Sequence, residues 1–156
     1  MTVADKRKKP RLSRLFSVYP EGAVFFITFC THERRSLLAN DAIHRAFQGF
    51  CSQALKRNII VGRYVLMPNH LHLFVHLPNP NDLPFWIKSL KNFLSKALRE
   101  QSTEPPHWQK GFFDHLLRSE ESSVEKWEYA RLNPVRAGLV GDACDWPYQG
   151  EIAMLD

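Results

Sequence analysis

Residues 65–78 read "VLMPNHLHLFVHLP", and their alternation decides the fold. Successive side chains of a strand point to opposite faces, so Leu71, Leu73, Val75 and Leu77 share one side and His70, His72, Phe74 and His76 the other. The first set is wholly apolar and belongs against a core. Upstream, "IIVGRYVLM" (59–67) has the β-branched and aromatic content of a second strand, and Pro68-Asn69 turns the chain between the two. A central antiparallel hairpin follows.

Working outward, "VFFITFCT" (24–31) reads as a largely buried strand preceded by the turn signal "PEG". Asn40 or Asp41 caps a helix whose apolar positions Ile43, Phe47, Phe50 and Ala54 recur at helical spacing up to about Asn58. After the hairpin, Asp82 caps a second helix. Leu83, Trp86, Leu90, Phe93 and Ala97 form its inner face, and Lys88, Lys91, Ser95 and Arg99 its outer face. "STEPP" breaks the chain, "GFFDHLLR" (111–118) is a fourth strand, and Ser122 with Glu125 forms a capping box for a third helix ending near Asn133. The order β-α-β-β-α-β-α predicts an α+β, ferredoxin-like split βαβ sandwich: a four-stranded antiparallel sheet with helices on one face, plus a C-terminal helix.

The 156 residues suit one domain with a real core. Their charge is uneven: Lys6, Arg7, Lys8, Lys9, Arg11 and Arg14 against Asp5 give residues 1–14 the whole chain's excess of +5. This segment reads as a basic disordered arm suited to a polyanion such as nucleic acid, or as a solubilising tail, and residues 15–156 read as a single domain. Cys30, Cys51 and Cys144 show no C-x-x-C spacing, so neither a disulfide framework nor a structural zinc site is expected. No apolar run reaches the length of a membrane span, and no signal peptide is evident, which predicts a cytoplasmic protein.

His70 and His72, at i and i+2, can ligate one metal ion together with a third donor from elsewhere; the plain alternative is a strand whose outer positions happen to be histidine. His32, His44, His76, His107 and His115 lack ligand spacing and read as structural or surface residues. In "EKWEYARLNPVRAGLV" (125–140), Tyr129 and Asn133 are four apart and share a helical face. That pair suits phosphoryl transfer, with the Asn133 carbonyl completing a cation site and Tyr129 attacking the phosphate. Asn133 can instead end one helix and cap a short one closed by Gly138, and Tyr129 can be a packed helix residue.

Taken together, "YVLMPNHLHLFV", "WQKGFFDHLLR" and "YARLNPVRAGLV" resemble the single-tyrosine HUH transposases, and most closely the REP-associated tyrosine transposases, over about residues 20–150. "DWPYQG" (145–150) is similar to the family's usual ending, and insertion-sequence relatives commonly carry Gln where this chain has Asn133. The resemblance implies a single-stranded DNA nicking and joining enzyme. Tyr129 is then the nucleophile, and His70, His72 and Asn133 hold Mg²⁺ or Mn²⁺. The products are a 5′-phosphotyrosine and a free 3′-hydroxyl. It implies hairpin DNA of repeated extragenic palindromes as partner, a nucleoid-associated location, no small-molecule cofactor, and a monomer, with a dimer as the alternative. Lys8, Lys9, Arg11 and Arg14 of the arm, together with Lys88, Lys91 and Arg99, are candidate backbone contacts. Arg131 and Arg136 are candidate phosphate ligands, and Trp108, Phe112 or Phe113 candidate base-stacking rings. The rival readings are a non-catalytic, domesticated nucleic-acid-binding module and a metal-dependent hydrolase in which water attacks.

Overall fold

A computed structural model describes residues 22–155; the basic arm, with Lys8, Lys9, Arg11 and Arg14, lies outside them. Its strands are β1 (Ala23–Cys30), β2 (Ile60–Leu66), β3 (His70–Leu77), β4 (Phe113–Leu116) and β5 (Gln149–Glu151), and its helices are α1 (Asp41–Ala54), α2 (Leu83–Glu100), α3 (Glu120–Arg131) and the short α4 (Asn133–Arg136). The sheet is antiparallel with order β4-β1-β3-β2-β5, so the hairpin strand β3 is central as expected. The first four strands follow the split βαβ arrangement. The fifth corrects the four-stranded expectation: "QGE" is too short and too polar to carry a strand signal, and it is extended because it pairs with Arg63–Val65 of β2.

One face of the sheet is apolar throughout. Phe25, Ile27 and Phe29 of β1, Tyr64 of β2 and Leu71, Leu73 and Val75 of β3 are buried against Ile43 and Phe47 of α1 and Trp86, Leu90 and Leu94 of α2. The α1 start is as read, with the Asn40 side chain accepting from the Ile43 amide. At α2 the cap differs: Asp82 makes no capping bond, and Asn79 instead accepts from the Asn81 amide in the turn before it. The α2 stripe is also rotated from the one expected. Leu83, Trp86, Ile87, Leu90, Leu94, Ser95 and Leu98 are buried, whereas Phe93 is exposed beside Phe50. Ser95 turns inward because its hydroxyl serves His107 Nδ1 (2.9 Å) and Trp108 Nε1 (2.8 Å), partners from a segment 12 or more residues away.

The opposite face is covered in part rather than left open. Phe26, Val65, Met67 and Phe74 meet Ala130 of α3 and Trp146 of the C-terminal segment, whose indole donates to the Leu66 carbonyl at 3.0 Å. The N-cap of α3 is Ser119, accepting from the Ser122 amide at 3.2 Å, three residues before the expected cap. Ser119 precedes Glu120 and Glu121, so the earlier start places two acidic side chains at the positive end of the helix dipole. Among the described residues no helix is long and apolar enough to cross a membrane.

Candidate active site

The register of β1 against β3 sets Cys30 opposite His70 and Thr28 opposite His72. Each imidazole is held at Nδ1: His70 by Asn69 Oδ1 at 2.8 Å and His72 by Thr28 Oγ1 at 2.7 Å. His72 also lies parallel to the Phe26 ring, with centroids 5.3 Å apart, and edge-on to His70 at 4.9 Å. Both rings are therefore fixed in orientation by partners from β1 and the hairpin turn.

Their Nε2 atoms converge on one side chain. Asn133 Nδ2 lies 2.8 Å from His70 Nε2 and 3.1 Å from His72 Nε2. An amide nitrogen can only donate, so both Nε2 atoms carry lone pairs and both Nδ1 atoms carry the protons. Burial, reinforced by Arg34, pushes His70 down to about 4. Burial, reinforced by His70 and Arg136, pushes His72 down to about 3. Two neutral imidazoles thus present lone pairs to a common point at neutral pH, the state in which imidazole binds a metal. Asn133 is the first residue of α4, whose N-cap is Leu132, and its side-chain nitrogen is directed at the two histidines. Gly138, at φ +73, closes α4 in the left-handed region as expected.

Among the described residues no three His, Cys, Asp or Glu side chains gather at a possible metal position. The Asn133 amide is the side chain within reach of both imidazoles, and its oxygen occupies the other arm of the same planar group. This donor set, two imidazole nitrogens and one amide oxygen with both rings anchored behind, fits a divalent cation that accepts mixed nitrogen and oxygen ligands.

Tyr129 stands beside this centre, its ring 6.3 Å from His72 and 58% exposed. Arg136 crosses over it: the guanidinium carbon is 4.3 Å from the ring centroid, and Nη2 donates to the Tyr129 carbonyl. Arg136 thereby fastens the end of α3 to α4 and brings positive charge against the phenol. Arg131 is paired with Glu128 at 2.9 Å on the helix surface. Next to Tyr129 opens a cleft of about 500 Å³ lined by Phe26 and Thr28 of β1, His72 of β3, Phe113 of β4, and Glu125, Lys126 and Tyr129 of α3.

The other expected contacts are distributed differently. Lys88 and Arg99 are exposed on α2, which packs on the apolar face of the sheet, across it from His72. Lys91 is committed to the Gln109 and Gly111 carbonyls at 3.1 and 2.6 Å. Trp108 is a packing residue, edge-on to Phe29 and donating to the Lys91 carbonyl, and Phe112 packs on the same core. Phe113 alone of the three rings is exposed. His107 is buried between Ser95 and the Thr103 carbonyl, and His44 bonds Tyr64, as structural histidines do. Thr28 and Lys126 carry no site signal in the sequence, where Asn69 and Glu125 read only as turn and capping residues. Asn69 has one local signal, adjacency to His70, whereas Thr28 reaches His72 only through strand pairing 44 residues apart.

Residues 23–127 match the family model described as "Transposase IS200 like", a span that includes both histidines and stops two residues short of Tyr129. A REP-associated tyrosine transposase of Escherichia coli K12 is 25% identical over 132 residues, covering 83% of this chain and 77% of the relative. A Haemophilus influenzae protein provisionally given the same name is 26% identical over 144 residues, covering 83% of this chain and 80% of its own. The solved structure of a REP-associated tyrosine transposase bound to a REP hairpin superposes with a TM-score of 0.62 at 24% identity, over 83% of this chain and 76% of that one. A Deinococcus radiodurans protein provisionally described as a transposase gives 0.53 at 16% identity, over 69% of this chain and 88% of its own. The likeness to these solved structures is one of fold.

Proposed function

The chain belongs to the IS200-like transposase family of DNA-cleaving and DNA-joining enzymes, and from that premise we propose that it nicks and rejoins single-stranded DNA beside a hairpin, with Tyr129 as nucleophile. The observation that carries this reading is the convergence of His70 Nε2, His72 Nε2 and the Asn133 amide on one point, with the Tyr129 ring 6.3 Å from His72. His70, His72 and Asn133 would hold Mg²⁺ or Mn²⁺. Bound there, the ion supplies Lewis-acid polarisation of a phosphate oxygen.

The chain's own groups do the rest. Thr28 and Asn69 hold the two rings at Nδ1, so that both Nε2 lone pairs face the Asn133 amide. Arg136, lying over the ring, stabilises negative charge as it develops on the phenol and at the phosphate. The Tyr129 oxygen attacks phosphorus, the bond from phosphorus to the 3′-oxygen breaks, and the phenolic proton is released. The products are a 5′-phosphotyrosine and a 3′-hydroxyl, and attack by a second 3′-hydroxyl reverses the step and joins strands without a nucleotide cofactor.

Hairpins of the REP class are the substrate that the named relatives suggest. The chain acts as a monomer in the nucleoid. The test is incubation of end-labelled hairpin DNA, drawn from palindromes near the gene, with wild type and Tyr129→Phe in Mn²⁺ or EDTA. A metal-dependent labelled protein band on a denaturing gel, missing in the variant, is the expected result. Cleavage without a band would make water the nucleophile, and binding without cleavage would leave a DNA-binding module.

A further inference from the structure

The cleft beside Tyr129 has chemistry that nicking does not need. A transferring phosphate requires cations, yet one wall carries a carboxylate, Glu125, and another carries Phe113, whose ring is 70% exposed. A carboxylate in a path for DNA repels phosphate unless it meets donors. An exposed aromatic ring at a cleft wall is disfavoured in water and favoured once a flat partner covers it.

Strand pairing explains how the two lie in one cleft. Phe113 of β4 is opposite Thr28 of β1, and Thr28 is opposite His72 of β3, so the three side chains form a row on one face. Glu125 sits one helical turn before Tyr129 on α3, with Lys126 beside it on the cleft wall. His72 and Tyr129 belong both to the reacting centre and to this cleft. A phosphate attacked by Tyr129 therefore has one of its two nucleosides at the cleft mouth.

We propose that this cleft is a pocket for one unpaired guanine adjoining the scissile phosphate, stacked on Phe113 and read by Glu125. The pocket rests on the reading of Tyr129 and His72 as the reacting centre. Guanine is specified by its Watson–Crick edge, where N1–H and the N2 amino group are neighbouring donors that one carboxylate accepts together. Adenine and cytosine present an acceptor next to their donor, and thymine flanks its single donor with two acceptors. Each leaves Glu125 one bond at most and sets a lone pair against it. Lys126 offsets the carboxylate's charge and takes the nucleotide's phosphate.

The experiment measures equilibrium binding to Tyr129→Phe protein in Mn²⁺, using short strands with one base in an otherwise abasic backbone. Guanine is expected to bind about tenfold tighter than adenine, cytosine or thymine. Hypoxanthine, which lacks the N2 amino group, should fall between. Adding Glu125→Ala should bring guanine to the level of the others, while Phe113→Ala weakens all bases about fivefold and Phe113→Trp restores them. Both side chains are exposed, so the variants fold. Equal binding of all bases, or a guanine preference that survives Glu125→Ala, overturns the pocket. In wild type, loss of the covalent band in Glu125→Ala by the same factor for every base would do so too, making the carboxylate a partner of the tyrosine. A guanine preference with no covalent band on any strand leaves the pocket standing and sinks the nicking function, so the two failures are separable.

Discussion

The two faces of the sheet are built from the same strands by opposite rules. On one, nearly every alternate residue of β1, β2 and β3 is buried against α1 and α2, and α2 alone contributes seven buried residues. On the other, the apolar cluster is small and α3 buries only Ala130, while Thr28, His70, His72 and Asn133 bond one another. The first face supplies stability without chemistry. The second forgoes apolar burial for polar groups whose orientation is set by strand register, so that the candidate site stands on a rigid platform.

Perturbations should separate the faces cleanly. The largest effect is expected from Tyr129→Phe, which should lower strand cleavage by about 10⁴-fold or more. Its denaturation midpoint should match wild type, because the ring is exposed; a large drop in stability would show that α3 depends on its tyrosine. Leu73→Ala, on the apolar face, should do the reverse, costing about 2–5 kcal/mol of unfolding free energy in urea while cleavage per folded molecule is retained.

Between them lies Thr28→Val, which keeps shape and removes the bond to His72. It should weaken Mn²⁺ binding by about 10–100-fold in calorimetry with little change in fold. Acidification sharpens the same boundary. His70 and His72 are held at about 4 and 3, below the usual 6.5, so under pH 6.5 the unfolded chain binds protons that the folded chain refuses. In EDTA, stability should be highest above pH 6.5 and fall as pH drops toward those values. His72→Gln should lose about 1–2 kcal/mol less than wild type between pH 7 and 5, and parallel curves for the two proteins would contradict the assignment. Smallest of all, replacing Lys88 and Arg99 together by Gln should change single-strand affinity less than about twofold at physiological salt, since both stand across the sheet from the site and are screened.

What was legible in the chain follows the range of the forces involved. The alternation of "HLHLFVHL" is a local, period-two signal, and it correctly assigned Leu71 and Leu73 to the core and His70 and His72 to the other face. The α1 cap at Asn40 is equally local. Ser95 reads onto the outer face of α2 and is buried instead, because its burial depends on His107 and Trp108 arriving from a distant loop. β5 was invisible because pairing, not propensity, makes it a strand. The competition for the Asn133 side chain was likewise undecidable from spacing, since its partners are 61 and 63 residues away. The shift of the α3 cap to Ser119 reflects two serine-led starts close together, both sound by sequence.

The Asn133 amide touches both imidazoles directly. Exchanging its nitrogen for its oxygen takes a half-turn of one side chain, with no strand or helix displaced. On the proposed reading of these three side chains as a cation site, loading should be limited by dehydration of the ion and not by reorganisation of the chain. Purified protein should charge with Mn²⁺ as quickly at low temperature as the ion can shed its water.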